Sequence, residues 1–326
     1  MNIYTVKTNS IAKSIGFLFA LTYGLFIVAS LQYFYSVDSG DIGSYLKFFN
    51  ENATAGLENR SIVGDGLFRA GVIILGNYMG IEPINVLSTL AFVISTLLFA
   101  IYAAHIRSTK YLIYLLPVYC MIFFSPIVSN LFASNIRSGI AFTILMISLV
   151  YLKGFWKYLF FGFSSFLHLS MAPIIAFYIL YQVTNYTFKK IGFRSSFIVP
   201  MLLLTISSLF LVAFSYVYKF NVTLISSSGV YNVLILCLAL LMIFTNKKVL
   251  KNVYGFICVG LILVYLFGFV IDISFARYIG FAVILYLFFL IEKAEIGTIQ
   301  VFTLGYIPVF FLISFYTVSN NFQFDE

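Results

Sequence analysis

Apolar windows of about 20 residues recur between residues 15 and 315, and the loops between them are too short to fold alone. A window of that length suits a helix crossing the roughly 30 Å hydrocarbon core of a bilayer. The chain therefore reads as an all-α polytopic membrane protein. Its composition agrees, with 62% hydrophobic and 9% charged residues among 326. No hydrophilic stretch is long enough for a soluble domain, and no repeat or Gly/Ser-rich linker divides the chain. Residues 1–326 form a single integral membrane domain in this reading, and any catalysis belongs to the membrane fold or its loops.

The expected spans cover residues 15–34, 84–104, 111–128 and 136–152, then two helices within 158–183 that break at His168. Residues 197–218, 230–245, 253–271, 277–291 and 299–315 follow, giving about eleven spans in a range of 10–12. The first span ends in LQYFYSV rather than a small-residue cleavage site, which predicts an uncleaved anchor. Residues 35–66 form the longest polar loop. Residues 67–79 are apolar but too short to cross, and predict an interfacial or re-entrant helix with Asp65 and Arg69 one turn apart. Between residues 129 and 135 the stretch SNLFASN predicts a short polar loop.

A net charge of +8 would suggest nucleic acid in a soluble protein, but here most basic residues occupy short loops between spans. They report topology instead. With the amino terminus in the cytoplasm, 13 of the 19 Lys and Arg residues fall inside. The six outside are Lys47, Arg60, Arg69, Arg137, Lys219 and Arg277. The 35–66 loop and the carboxyl terminus then lie outside, and so do Arg69, Arg137, His168, Asp272 and Arg277, all at outer ends of spans. Cys120, Cys237 and Cys258 sit inside apolar runs without ligand spacing and read as packing residues.

Ionisable groups at membrane depth are costly and mark functional sites by default. Arg137 and Arg277 each open a span after a short polar loop, and the positive-inside rule does not explain them. A guanidinium forks two donors onto phosphate oxygens, and a helix amino terminus adds N–H donors. Two such arginines suit a diphosphate. The structural alternative is an arginine reaching for lipid headgroups or a carboxylate, and Asp272 is available to Arg277. His168 lies in FLHLS, beside Ser170 and Pro173, where a neutral imidazole either accepts a proton near neutral pH or is a hydrogen-bonded core residue. Asp38 and Asp41, followed by Tyr45, are acids that could bind a metal, orient a sugar hydroxyl or serve as the base, or simply solvate the loop. His168 is favoured as the base, because a helix break holds it at fixed depth whereas loop acids need a lid to close. No Walker A loop, G-x-S-x-G elbow, H-E-x-x-H or nucleotide-sugar motif is present. No cofactor is expected, and the reaction would draw its energy from the substrate itself.

Together these stretches resemble the EpsG-like and O-antigen polymerase (Wzy) family of bacterial polysaccharide assembly. The carriers are D-x-x-x-Y from Asp41 to Tyr45, N-x-R-S-G-I-A from Asn135 to Ala141, F-x-H-x-S from Phe166 to Ser170, and ARYIGF from Ala276 to Phe281. The resemblance implies a GT-C-like membrane glycosyltransferase at the outer face of the bacterial inner membrane. Its donor and acceptor would be oligosaccharides carried on undecaprenyl diphosphate, with membrane lipids and a chain-length regulator protein as partners and no nucleic acid. Arg137, Arg277 and Arg69 would hold the diphosphate, and the base would be His168, Asp41 or Asp38. Asp38 and Asp41 lie closer together than two independently placed acids should, which leaves the base open.

Two other classes fit parts of the pattern. A membrane acyltransferase would want a histidine motif near the first span, yet the other histidine, His105, falls in an inner loop. A flippase or transporter of lipid-linked oligosaccharide would show paired repeats and a mid-membrane site; here no repeat is visible and the candidate residues gather at one surface.

Overall fold

A computed structural model describes residues 10–36, 68, 71, 74, 80–106, 109–133, 135–191, 198–217, 237, 240–242, 249–270, 276–293 and 295–322. All secondary structure among them is helical. The helices gather into two compact units: Met1–Ile106 with Ser129–Ala172, and Arg107–Val128 with Pro173–Glu326.

In the first unit, α1 (Ser10–Ser36) packs along α2 (Pro83–Ala104). Gly16, Ala20 and Gly24 recur every fourth residue on α1, and all three are buried. A Cβ at Gly16 would run into Ala103, and one at Gly24 into Thr96 and Phe92. Position therefore rises along α1 as it falls along α2, so the pair is antiparallel, and small residues at each turn let the two backbones approach. Pro83 starts α2 at a position where its missing N–H costs nothing. Helix α2 also packs on α5, described below.

The stretch expected as a polar loop over residues 129–135 is mostly helix. Helix α4 (Pro126–Ala133) follows α3 (Thr109–Phe123) after a break of two residues. Pro126 presets the helical φ at the first position, and Val128, Leu131 and Phe132 recur at helical spacing and are buried. The polar residues of SNLFASN masked that apolar stripe. Pro117, by contrast, lies inside α3 without ending it.

The second unit holds α7 (Ala172–Ile191) from Pro173 onward, α8 (Ile198–Val217), α9 (Val253–Val270), α10 (Ala276–Lys293) and α11 (Ile296–Phe322). Helix α9 is enclosed by α8 and α10, and α3 packs on α10 and α11. Gly260 of α9 admits the Phe177 ring of α7, which a Cβ would meet at 2.9 Å. Asn252 caps α9: its Oδ1 accepts from the N–H of Tyr254 at 2.9 Å and of Gly255 at 3.3 Å. Its amide in turn donates to Glu292 at the end of α10, 3.1 Å away.

Helix α8 lacks the polar outer face of a helix in water. Its inner stripe is Leu204, Ser208 and Val212, and Ser208 Oγ donates to Gly260 O at 3.3 Å. The outer stripe is apolar as well, with Ile198 72% exposed, Leu202 56%, Ile206 56% and Phe210 69%. Among the described residues, two segments, Lys13–Tyr33 and Pro83–Ala104, are long and apolar enough to cross a membrane. Leu112–Phe123, Ile136–Tyr151, Ile198–Phe214, Val253–Phe269 and Ile296–Val309 are shorter apolar helices. Of the expected short helix over residues 67–79, only Phe68, Gly71 and Ile74 lie among the described residues, each in helical conformation.

Candidate functional site

Helix α5 (Ile136–Tyr151) and helix α6 (Gly154–Leu167) form a hairpin within the first unit. The turn is tight because Gly154 takes φ 55°, a conformation that glycine adopts without strain. Two hydrogen bonds clasp the pair near this turn. Ser148 Oγ donates to Lys157 O at 2.9 Å, and Lys157 Nζ donates to Leu149 O at 3.2 Å. Burial pulls the Lys157 amine below its usual range, and the like charge of Lys153 adds to the shift.

The clasp sets the register of everything beyond it. Arg137 lies eleven residues before Ser148, and His168 lies eleven after Lys157. Eleven residues make three turns and about 20°, a rise of about 16 Å. Arg137 thus lies within about 20° of the stripe of α5 that carries Ser148, and His168 arrives at the same level at the end of α6. The 3-10 turn Leu169–Met171 packs on both α5 and α6, closing this end. Arg137 and His168, drawn from two separate motifs, belong to one end of one hairpin.

Helix α6 stops at His168, whose backbone is extended at φ −155° and ψ 117°. The break itself is hydrogen-bonded. His168 N donates to Ser164 O at 3.0 Å, and Met171 N donates to His168 O at 3.0 Å. The imidazole caps the 3-10 turn: Nδ1 accepts from Ser170 N at 3.1 Å, and Ser170 Oγ lies 2.6 Å from the same atom. His168 is 5% exposed and Ser170 3%, so water does not compete for these bonds.

Arg137 occupies the first turn of α5 and is half-buried, with its Nε enclosed by protein. Its neighbours explain the rest of the N-x-R-S-G-I-A motif. Ile136, Ser138 and Ala141 are buried, and a Cβ on Gly139 would stand 2.7 Å from Leu131 O and 2.9 Å from the Phe132 ring. Glycine here lets α4 pass against α5, and that contact seats the first turn carrying Arg137. Before it, Asn135 N donates to Asn130 O at 2.9 Å, fixing the turn from α4 into α5.

The chain matches no family model, no curated protein and no solved structure. Arg277, the second residue of α10, is half-buried beside buried Tyr278 and belongs to the second unit. Asp38, Asp41, Arg69 and Asp272 lie outside the described residues.

Sequence reasoning placed the helix break at His168 and the opening of a helix at Arg137. The clasp between Ser148 and Lys157 escaped it, and so did the two bonds from Ser170 to the ring. One signal was available: the spacing of eleven from Arg137 to Ser148 repeats from Lys157 to His168. A hairpin turning between Ser148 and Lys157 converts those equal spacings into equal heights.

Proposed function

We propose that this chain is a membrane-embedded polysaccharide polymerase of the kind that the Wzy and EpsG resemblance implies. It would transfer a glycan chain from undecaprenyl diphosphate onto a lipid-linked repeat unit at the outer face of the inner membrane. One observation carries the reading: the register of the α5–α6 hairpin brings Arg137 and His168 to the same end, opposite Lys153 and Lys157. A guanidinium and an imidazole at one membrane surface suit a diphosphate leaving group, whose negative charge grows as the glycosidic bond breaks. Arg277, opening α10 in the second unit, has the residue type and helix-opening position that would suit a phosphate group.

Membrane embedding has its own support in the apolar outer stripe of α8. In water, a continuous row of Ile198, Leu202, Ile206 and Phe210 would drive association; in lipid it costs nothing. With Lys153 and Lys157 inside, Arg137 and His168 face outward, as the positive-inside reading requires.

Deletion of the gene in its own host tests the reading. A polymerase mutant displays surface glycan one repeat unit long. A mutant lacking a flippase displays none and accumulates lipid-linked units inside, and an acyltransferase mutant makes full-length polymer without its acyl groups. Either of the last two phenotypes rejects the proposal.

A further inference from the structure

We infer that the turn end of the α5–α6 hairpin binds an anionic phospholipid, with Lys153 on the headgroup phosphate and the exposed rings of Phe155, Trp156 and Tyr158 against its glycerol and acyl groups. The inference rests on the membrane embedding proposed above and not on the polymerase reading.

Helix α6 is covered on one side only. Phe161, Ser164 and Leu167 are its buried residues, and α5 packs against it. The outer face of its first two turns carries Phe155, Trp156, Tyr158 and Leu159, with Phe155 73% exposed and Trp156 60%. These rings are braced: Phe155 meets Trp156 edge-on with centroids 5.9 Å apart, and Tyr158 meets Phe161 in the same way at 6.0 Å. This face differs in kind from the outer stripe of α8. Ile198, Leu202, Ile206 and Phe210 have no polar side-chain atom and suit acyl chains alone. Trp156 and Tyr158 each join an apolar ring to an N–H or O–H, and such side chains settle where hydrocarbon gives way to headgroups.

Lys153 gives this end its charge. It is exposed and stands directly before the first residue of α6. A cation there opposes the helix dipole, and the like charge of Lys157 one turn on repels it, so the Lys153 charge does not serve the helix that follows it. Lys157 is held by Leu149 O at 3.2 Å and adds to the positive field. Among the described residues of the first unit the one acid is Glu82, and it is distant. The rings of His105 and Tyr151, 5.6 Å apart, join the close of α2 to the close of α5. Glu82 precedes the other end of α2, which at 22 residues is about 33 Å long.

An amine without an acid beside it, next to exposed rings with polar tips, makes two demands at once. A phosphodiester answers the charge, and the acyl chains below it cover the rings. An anionic phospholipid meets both demands. A zwitterionic one meets only the second, because its own ammonium offsets the phosphate.

Trp156 is the chain's single tryptophan and reports on its own neighbourhood. The full-length chain is reconstituted in mixed phosphatidylcholine and phosphatidylglycerol bilayers in which one lipid or the other carries brominated acyl chains, which quench indole fluorescence on contact. The two quenching curves give the relative occupancy of each lipid at Trp156. Phosphatidylglycerol should be favoured by about fivefold, the worth of one lysine at a membrane surface, and by less at high salt. Lys153→Gln should bring the ratio close to one, and Lys153→Arg should keep it. Equal quenching by the two lipids in the wild type, or an unchanged preference in Lys153→Gln, overturns the lipid site while leaving the embedding intact. Loss of the preference on adding inorganic phosphate at constant ionic strength would assign the site to a soluble anion and overturns it too. If neither brominated lipid quenches Trp156, the embedding itself fails and the inference falls with it.

Discussion

Ser170 reaches the His168 ring twice, with its backbone N–H at 3.1 Å and its hydroxyl at 2.6 Å, both on Nδ1. Substitution can remove only one of these donors without disturbing the backbone. Because the backbone N–H can only donate, Nδ1 should remain its acceptor in Ser170→Ala, with the ring proton on Nε2, while the lost hydroxyl bond costs about 0.5–1.5 kcal/mol of stability. Thermal unfolding measures the cost and ¹⁵N spectra of the ring measure the tautomer. A switch of the proton to Nδ1 would mean that the hydroxyl, and not the backbone, sets the ring.

Arg137 should not tolerate replacement by lysine. A lysine keeps the charge and loses the planar fork, so Arg137→Lys should reduce polymer length nearly as far as Arg137→Ala. The comparison is made by gel analysis of surface polysaccharide at matched expression. Full-length polymer from the lysine variant would return Arg137 to the role of a membrane anchor.

Gly139 should be sensitive for a different reason. A Cβ there meets Leu131 O at 2.7 Å, and a backbone carbonyl cannot swing aside as a side-chain tip can. Gly139→Val should force α4 away from α5, at about 1–3 kcal/mol in overpacking, and should displace the turn that carries Arg137. We expect a lower unfolding temperature together with lower activity. Unchanged stability would mean that this close approach does not hold the turn.

Orientation is open to labelling. After Cys120, Cys237 and Cys258 are replaced, single cysteines at Ser44 and Ser108 should differ in intact cells. An impermeant thiol reagent should label the first and spare the second. Labelling at Ser108 would put Arg137 and His168 on the cytoplasmic side, where an outer polymerase has no substrate.

What could be read without coordinates was whatever depends on local composition and period. Apolar runs located helices such as Pro83–Ala104 and Val253–Val270 to within a residue or two, because burial of backbone hydrogen bonds rewards an unbroken helix wherever side chains are apolar. The break at His168 was legible for the same reason, as a polar residue between two apolar runs with Pro173 after it. Helix α4 was not, since SNLFASN hides three buried apolar residues among polar ones and only packing reveals which side wins. Tertiary structure also decided how distant motifs meet. Arg137 and His168 are 31 positions apart, and their common level depends on a clasp from Ser148 to Lys157 that no motif announces. The cap at His168 is a local contact across two residues, yet the sequence says only that an imidazole is present; the extended backbone at the helix break is what turns Nδ1 to the N–H of Ser170.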